Sequence, residues 1–318
     1  MTLTRRSFST VAAVAFGLML GASASAAEDF KAAGVLPGSI TDQAFNQAVY
    51  EGLVKGKERL GIEFAYSEKV KQADQAEALA DYARRGYQLV IAAGGEFTAS
   101  AGRVAKQFPD TTVAILNGAP TEGTATINYN NEEFGYILGY IGGKMSKTGK
   151  AGLIAGQEIA AFLGVAEGFK KGWAVGQPNG EVFIAYTNDW DDVAKAKEAT
   201  LNFINQGADV VLPYLDNGFV GVIQAAKEKD AWAVSTLSDL SKSSIPEVNL
   251  ASALMDFSEA AATTMEMAKA GQLERKDYRF PLGSKPGPMG PISDKVPAEL
   301  KAEVEKLVAD MAAGKFNP

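Results

Sequence analysis

Short, continuously apolar runs, each followed by a longer stretch with helical spacing, most constrain what this chain can fold into. The pattern occurs twice: runs stand at 32–36, 62–66, 89–93 and 112–116, and again at 151–155, 182–186, 209–213 and 231–234. Between them Phe45, Val49, Leu53 and Leu60 recur near helical spacing, and helices are predicted over 72–85, 131–145 and 192–206. A strand that is apolar along its whole length must be covered on both faces, and a helix between successive strands makes their pairing parallel. Two such sets predict an α/β protein of two doubly wound parallel-sheet lobes. The tail adds a strand near 249–255, a helix over 257–270, a strand candidate at 278–282, a Gly- and Pro-rich crossing loop over 283–291 and a closing helix over 297–313. The expected division is 27–127 with 252–282 for one lobe and 128–251 with 283–318 for the other, so the chain crosses between them more than once.

In open parallel sheets, ligands sit beyond the carboxyl ends of the strands. That rule nominates the loops 37–46, 94–97, 117–118, 188–191, 214–218 and 237–239, and the cleft between the lobes as the site. Gly95 and Asn217 enter the candidate set from two of these loops.

The first residues read as an export signal. Arg5-Arg6 with Phe8 forms a twin-arginine start, an apolar stretch over 11–20 is too short to span a bilayer comfortably, and small residues over 22–27 suit a signal peptidase. A signal peptide over 1–26 with a cut after Ala26 or Ala27 is expected; a retained anchor is the competing reading. With no cysteine in the chain no lipid can be attached at the cut, and a free, soluble, periplasmic protein is expected.

The composition narrows the chemistry. No histidine and no cysteine means that neither a Ser-His-Asp nor a Cys-His nucleophile can be assembled, and the commonest metal ligand is missing. A net charge of −7, mixed in sign along the chain, argues against nucleic acid as a partner. No cofactor is implied, and a monomer is expected.

The most informative stretch is 38–53, which follows the first strand and opens a helix. Thr41 or Asp42 is a natural N-cap there. Phe45 can stack on a flat ligand and Asn46 can donate and accept toward a base edge; a core ring and a solvated amide describe the same spacing equally well. Trp190 lies among Asn188, Asp189, Asp191 and Asp192, polar company for a core tryptophan, which favours a site. Those acids lack the spacing and turn glycine of a calcium loop, so they read as caps of the next helix. Gly142-Gly143-Lys144-Met145 fails as a phosphate loop, with Met145 in place of the hydroxyl residue.

Several stretches together resemble the basic membrane protein family, the PnrA-like receptors for purine nucleosides. They are Asp42-x-x-Phe45-Asn46 with Glu51-Gly52, the segment 131–139, Phe162 with Gly168-Phe169 and Gly172, the segment 188–198, and the closing 313–316. The resemblance covers nearly all of the chain after the signal. It implies a type I periplasmic binding fold, a substrate-binding protein of an ABC importer with a membrane permease as partner, and no enzymatic activity. It also implies that Phe45 and Asn46 contact a base which Trp190 sandwiches. Phe162 enters the set through its motif.

Departures from the family fall on the ribose. Asn117 stands where the family carries an aspartate, a second aspartate aligns with Leu237 or shifts to Asp239, and Met255 stands for a lysine. A neutral amide lacks the charge-assisted acceptor of a carboxylate. The expected ligand is therefore a flat ring, nucleobase or nucleoside, not held by its ribose in the usual way. The alternatives are an exported nucleoside-processing enzyme and a receptor feeding a sensor.

Overall fold

The computed structural model describes residues 2, 30–42, 44–316 and 318. The export signal read over 1–26 and its cut site lie outside the described residues, Thr2 apart.

The chain opens with β1 (Ala32–Val35), α1 (Phe45–Leu60), β2 (Phe64–Ser67), α2 (Gln75–Arg84), β3 (Leu89–Ala93), α3 (Thr98–Gln107), β4 (Thr112–Leu116) and β5 (Ala125–Tyr129). It continues through α4 (Asn131–Met145), β6 (Lys150–Ala155), α5 (Ala160–Gly176), β7 (Glu181–Tyr186), α6 (Val193–Asn205), β8 (Val210–Tyr214), α7 (Phe219–Glu228) and β9 (Trp232–Ser235). It closes with β10 (Asn249–Ala253), α8 (Phe257–Lys269), β11 (Asp277–Phe280), β12 (Met289–Ile292) and α9 (Ala298–Ala312).

Two six-stranded sheets result, ordered β11-β5-β4-β3-β1-β2 and β12-β10-β9-β8-β6-β7. In the first, every pair is parallel. The apolar runs behave as their composition demands: every residue of β3 and of β8 is buried, because helices cover both faces. The chain passes between sheets after β5, after β10 and after β11. β10 runs unbroken to Ala253 in the second sheet, past the lobe break expected at 251.

Two strands depart from the sequence reading. β5 falls where no strand was predicted, since Thr126 and Asn128 interrupt its apolar residues and give it no continuous run. Its polar face is buried all the same, because Asn128 spends its amide hydrogens on the Gly118 carbonyl and on Asp277. β12 lies in the segment read as a crossing loop and pairs antiparallel with β10. As an edge strand it tolerates Pro291, which has no N–H to give a neighbour.

Helices α4 and α5 touch backbone to backbone. A β-carbon on Gly172 would sit 2.0 Å from the Tyr136 carbonyl oxygen, and one on Gly135 would sit 1.9 Å from that of Val165. This close crossing lets Phe134, Phe169 and Trp173 bury completely in the same core. In the other lobe α1 packs on α8, tied by Arg59 forking onto Glu259 at 2.8 and 2.9 Å. Among the described residues no helix is long and apolar enough to cross a membrane.

Candidate functional site

Between the lobes the carboxyl ends of seven strands surround one cavity. Phe45, Gly94, Gly95, Glu96 and Asn117 line it from the first lobe, and Ile159, Trp190, Tyr214, Asp216 and Leu237 from the second. Its volume, open to solvent at the mouth, is about 410 Å³.

The first lobe builds its half on short turns. Asp42 accepts from the backbone N–H of Ala44 (2.9 Å), Asn46 (2.9 Å) and Gln47 (3.0 Å), so its carboxylate caps the first turn of α1. Asn46 donates to Asp42 at 2.7 Å and accepts from the Gly38 N–H at 2.9 Å, closing the loop after β1. The result is that Phe45, the first residue of α1, faces the cleft with its ring edge-on to Phe257 at 4.8 Å. After β3 the chain turns through Gly94 at φ 108°, a value that favours glycine. Glu96 folds back over it, with a carboxylate oxygen 2.3 Å from where a Gly94 β-carbon would lie. Asn117, at φ 59°, holds the left-handed conformation that asparagine tolerates, and is 7 % exposed. Its amide donates to the Tyr214 hydroxyl across the cleft at 3.3 Å, while its Oδ1 is buried without a partner.

The second lobe supplies a larger aromatic wall. The Trp190 indole lies on Gly156, where a β-carbon would come within 2.3 Å of the ring. Its loop is pinned by Asp189, which accepts from Asp191 and Asp192 N–H, and by the Trp190 carbonyl, which accepts from Gly218 N–H. Asp192 caps α6 through Lys195 N–H at 3.0 Å, as read from the acidic run. Tyr214 and Asp216 follow β8 into the cleft, 1 % and 9 % exposed.

The site is acidic. Burial raises the Asp216 carboxyl well above the usual carboxylate range, and Asp42 and Asp191 push it the same way, while the facing backbone N–H of Phe45 opposes them. Asp191 is raised by burial and by its acidic neighbours, against the Asn217 N–H it accepts. Glu96 is raised by the protein crowded around its carboxylate, although by surface area the residue stays exposed, which keeps that shift modest. Burial pushes the Tyr214 hydroxyl up to about 12. Among the described residues no group of three or more His, Cys, Asp or Glu is placed to hold a metal ion.

Of the residues nominated from sequence, Phe45, Gly95, Asn117, Trp190 and Leu237 come together around the cavity. The others are elsewhere. Asp42 and Asn46 are occupied in shaping the loop before α1. Phe162 is fully buried against Tyr186 and Tyr214, as the core of the second lobe. Met255 is 3 % exposed, packed in the hydrophobic core and not among the residues that line the cavity. Asn217 gives its N–H to Asp191 outside the cavity lining. Asp239 caps a short turn through Ser241 N–H at 3.1 Å and pairs with Lys242. Glu96, Ile159, Tyr214 and Asp216 were not singled out, although all but Ile159 sit in nominated strand-end loops.

Residues 30–280 match the family described as ABC transporter substrate-binding protein PnrA-like. The transcriptional activator protein med of Bacillus subtilis is 29% identical over 276 residues, 86% of this chain and 86% of its own length. A purine-binding protein of Brucella abortus is 25% identical over 312 residues, 97% of this chain and 88% of its own. In the solved structures, ABC transporter system solute-binding proteins from Aeropyrum pernix K1 superimpose with a TM-score of 0.77 at 18% identity, over 91% of this chain and 92% of that one. That likeness is one of fold, and the type I binding architecture expected from the sequence stands.

Proposed function

The chain belongs to the PnrA-like family of ABC transporter substrate-binding proteins, and from that premise we propose that it captures a small planar solute, a nucleobase or purine nucleoside, between its lobes. One observation carries the reading: Phe45 from the first lobe and Trp190 from the second wall the same cavity. A ring held between them gains contact from both lobes, so it favours the closed arrangement over the open one. The Asn117–Tyr214 bond is a polar contact that closure adds. The purine-binding relative supports the same ligand class. Neither a Lys nor an Arg lines the cavity, and Asn117 and Leu237 stand where the family's ribose-holding carboxylates are expected, which favours a base over a nucleoside.

The closed protein then docks on a membrane permease and passes its solute to an importer. Residues 30–129 with 254–282 act as one lobe and 130–253 with 283–316 as the other, after export by the twin-arginine segment. The protein works as an unlipidated periplasmic monomer, without a cofactor, without nucleic acid and without turning its ligand over. A second reading, a receptor that feeds regulation instead of uptake, is favoured by the relative named as a transcriptional activator. Calorimetric titration with adenine, guanine, xanthine, uracil and their nucleosides tests the ligand class. Binding of bases at least as tight as of nucleosides is expected; a strong preference for nucleosides refutes the ribose-free part, and release of free base from a nucleoside refutes pure capture. Loss of base uptake in cells lacking the protein separates import from regulation.

A further inference from the structure

The cleft holds more carboxyl groups than a neutral base requires. Asp216 is 9 % exposed and lines the cavity, opposite Phe45. The charges that act on it most are Asp42, Asp191 and Glu96, all carboxylates, and none of the lining residues is Lys or Arg. A buried carboxylate without a cation is unfavourable, and a ligand that brings positive charge relieves it. Asn117 is an independent sign of a ligand. It is 7 % exposed, lines the same cavity, and leaves its Oδ1 without a partner. In either orientation of that amide one polar atom is left over, and with the Nδ2 on Tyr214 it is the acceptor. The walls are aromatic faces and edges, Phe45, Trp190 and Tyr214, which attract a cation as well as a flat ring.

We propose that, among planar solutes, the cleft selects a positively charged heterocycle whose N–H groups meet Asp216 and Asn117; the inference rests on the reading of this cleft as a ring-binding site. Asp216 is its specificity-determining residue. Against the ionised carboxylates of Asp216 and Glu96, a ring that presents carbonyl oxygens meets like charge, and an anionic ring is disfavoured. The cation meets Asp216 as its carboxylate, and none of the neighbours Asp42, Asp191, Glu96 and Tyr214 brings a positive charge that would compete with it.

The test uses two rings of the same shape, benzamidinium and neutral benzamide, with adenine as a neutral base, titrated by calorimetry into the full chain and into Asp216→Asn. The wild type is expected to bind benzamidinium at least about tenfold tighter than benzamide, and D216N to bring that ratio below about threefold. Benzamidinium binding by the wild type is expected to strengthen as pH is raised from acid, because the cation pairs with the ionised carboxyl, while benzamide binding stays level, a readout that needs no variant. Equal binding of the pair, an unchanged ratio in D216N, or a benzamidinium affinity that does not rise with pH overturns the inference. Adenine binding without preference for benzamidinium sinks the charge selection and leaves the ring-binding reading standing. Failure of all three rings to bind sinks both.

Discussion

The side-chain amide of Asn117, at the end of β4, donates to the hydroxyl of Tyr214, at the end of β8 in the other lobe, over 3.3 Å. Both residues are buried, so the bond exists only when the lobes are together. Replacing Tyr214 by Phe keeps the ring and removes the acceptor. A buried hydrogen bond contributes about 1 kcal/mol net, so Y214F is expected to bind ligand roughly fivefold more weakly. Calorimetry checks this; an unchanged affinity means that the bond plays no part in closure.

Trp190 is half-buried, its ring laid on Gly156 and facing the cavity. Its loop is held by backbone bonds and by Asp189, not by the indole. Trp190→Ala is therefore expected to fold as the wild type does and to lose about tenfold or more in ligand affinity. Circular dichroism and titration on the same sample separate the two effects.

Asp216 makes stability depend on pH in a defined direction. Its carboxyl titrates well above the usual range in the folded protein, against about 3.9 when unfolded. The folded state thus holds the proton more tightly. That contribution is fully present below about pH 4 and is lost as pH rises through the folded value. Thermal unfolding of D216N is expected to match the wild type at acid pH and to exceed it at higher pH. Part of the slope remains in the variant, because Asp191 and Glu96 are raised as well. A wild-type advantage that grows with pH contradicts the assignment.

Gly172 stands where α5 meets α4, and a β-carbon there would come within 2.0 Å of the Tyr136 carbonyl oxygen. The obstacle is backbone, so the helices must separate. Gly172→Ala is expected to lose about 1–3 kcal/mol, seen as an earlier denaturation midpoint. Ligand affinity measured well below that midpoint stays close to wild type, because the glycine is remote from the cavity lining.

How much of this was legible in the sequence follows from which residues carry periodic information. β3 and β8 announce themselves because each is buried on both faces. β5 does not, since Thr126 and Asn128 break its apolar pattern and find their partners only in tertiary structure. The strand-end rule led to Phe45, Gly95, Asn117, Trp190 and Leu237. The loop after β8 was nominated by the same rule, yet the residue chosen from it was Asn217 and not Asp216. A lone acid two residues past a strand carries no motif, and its depth is set by the opposite lobe. Phe162 and Met255 show the reverse: residues placed at the site by motif and alignment turn inward, because packing claims an aromatic or thioether side chain wherever the core has room.

A crystal structure of the protein purified with its solute still bound decides whether the cleft is a ring-binding site. A flat ring is expected between Phe45 and Trp190, with an N–H edge turned to Asp216. Solute density outside that cavity, or a closed cleft in which the two rings pack on each other with nothing between them, would contradict it.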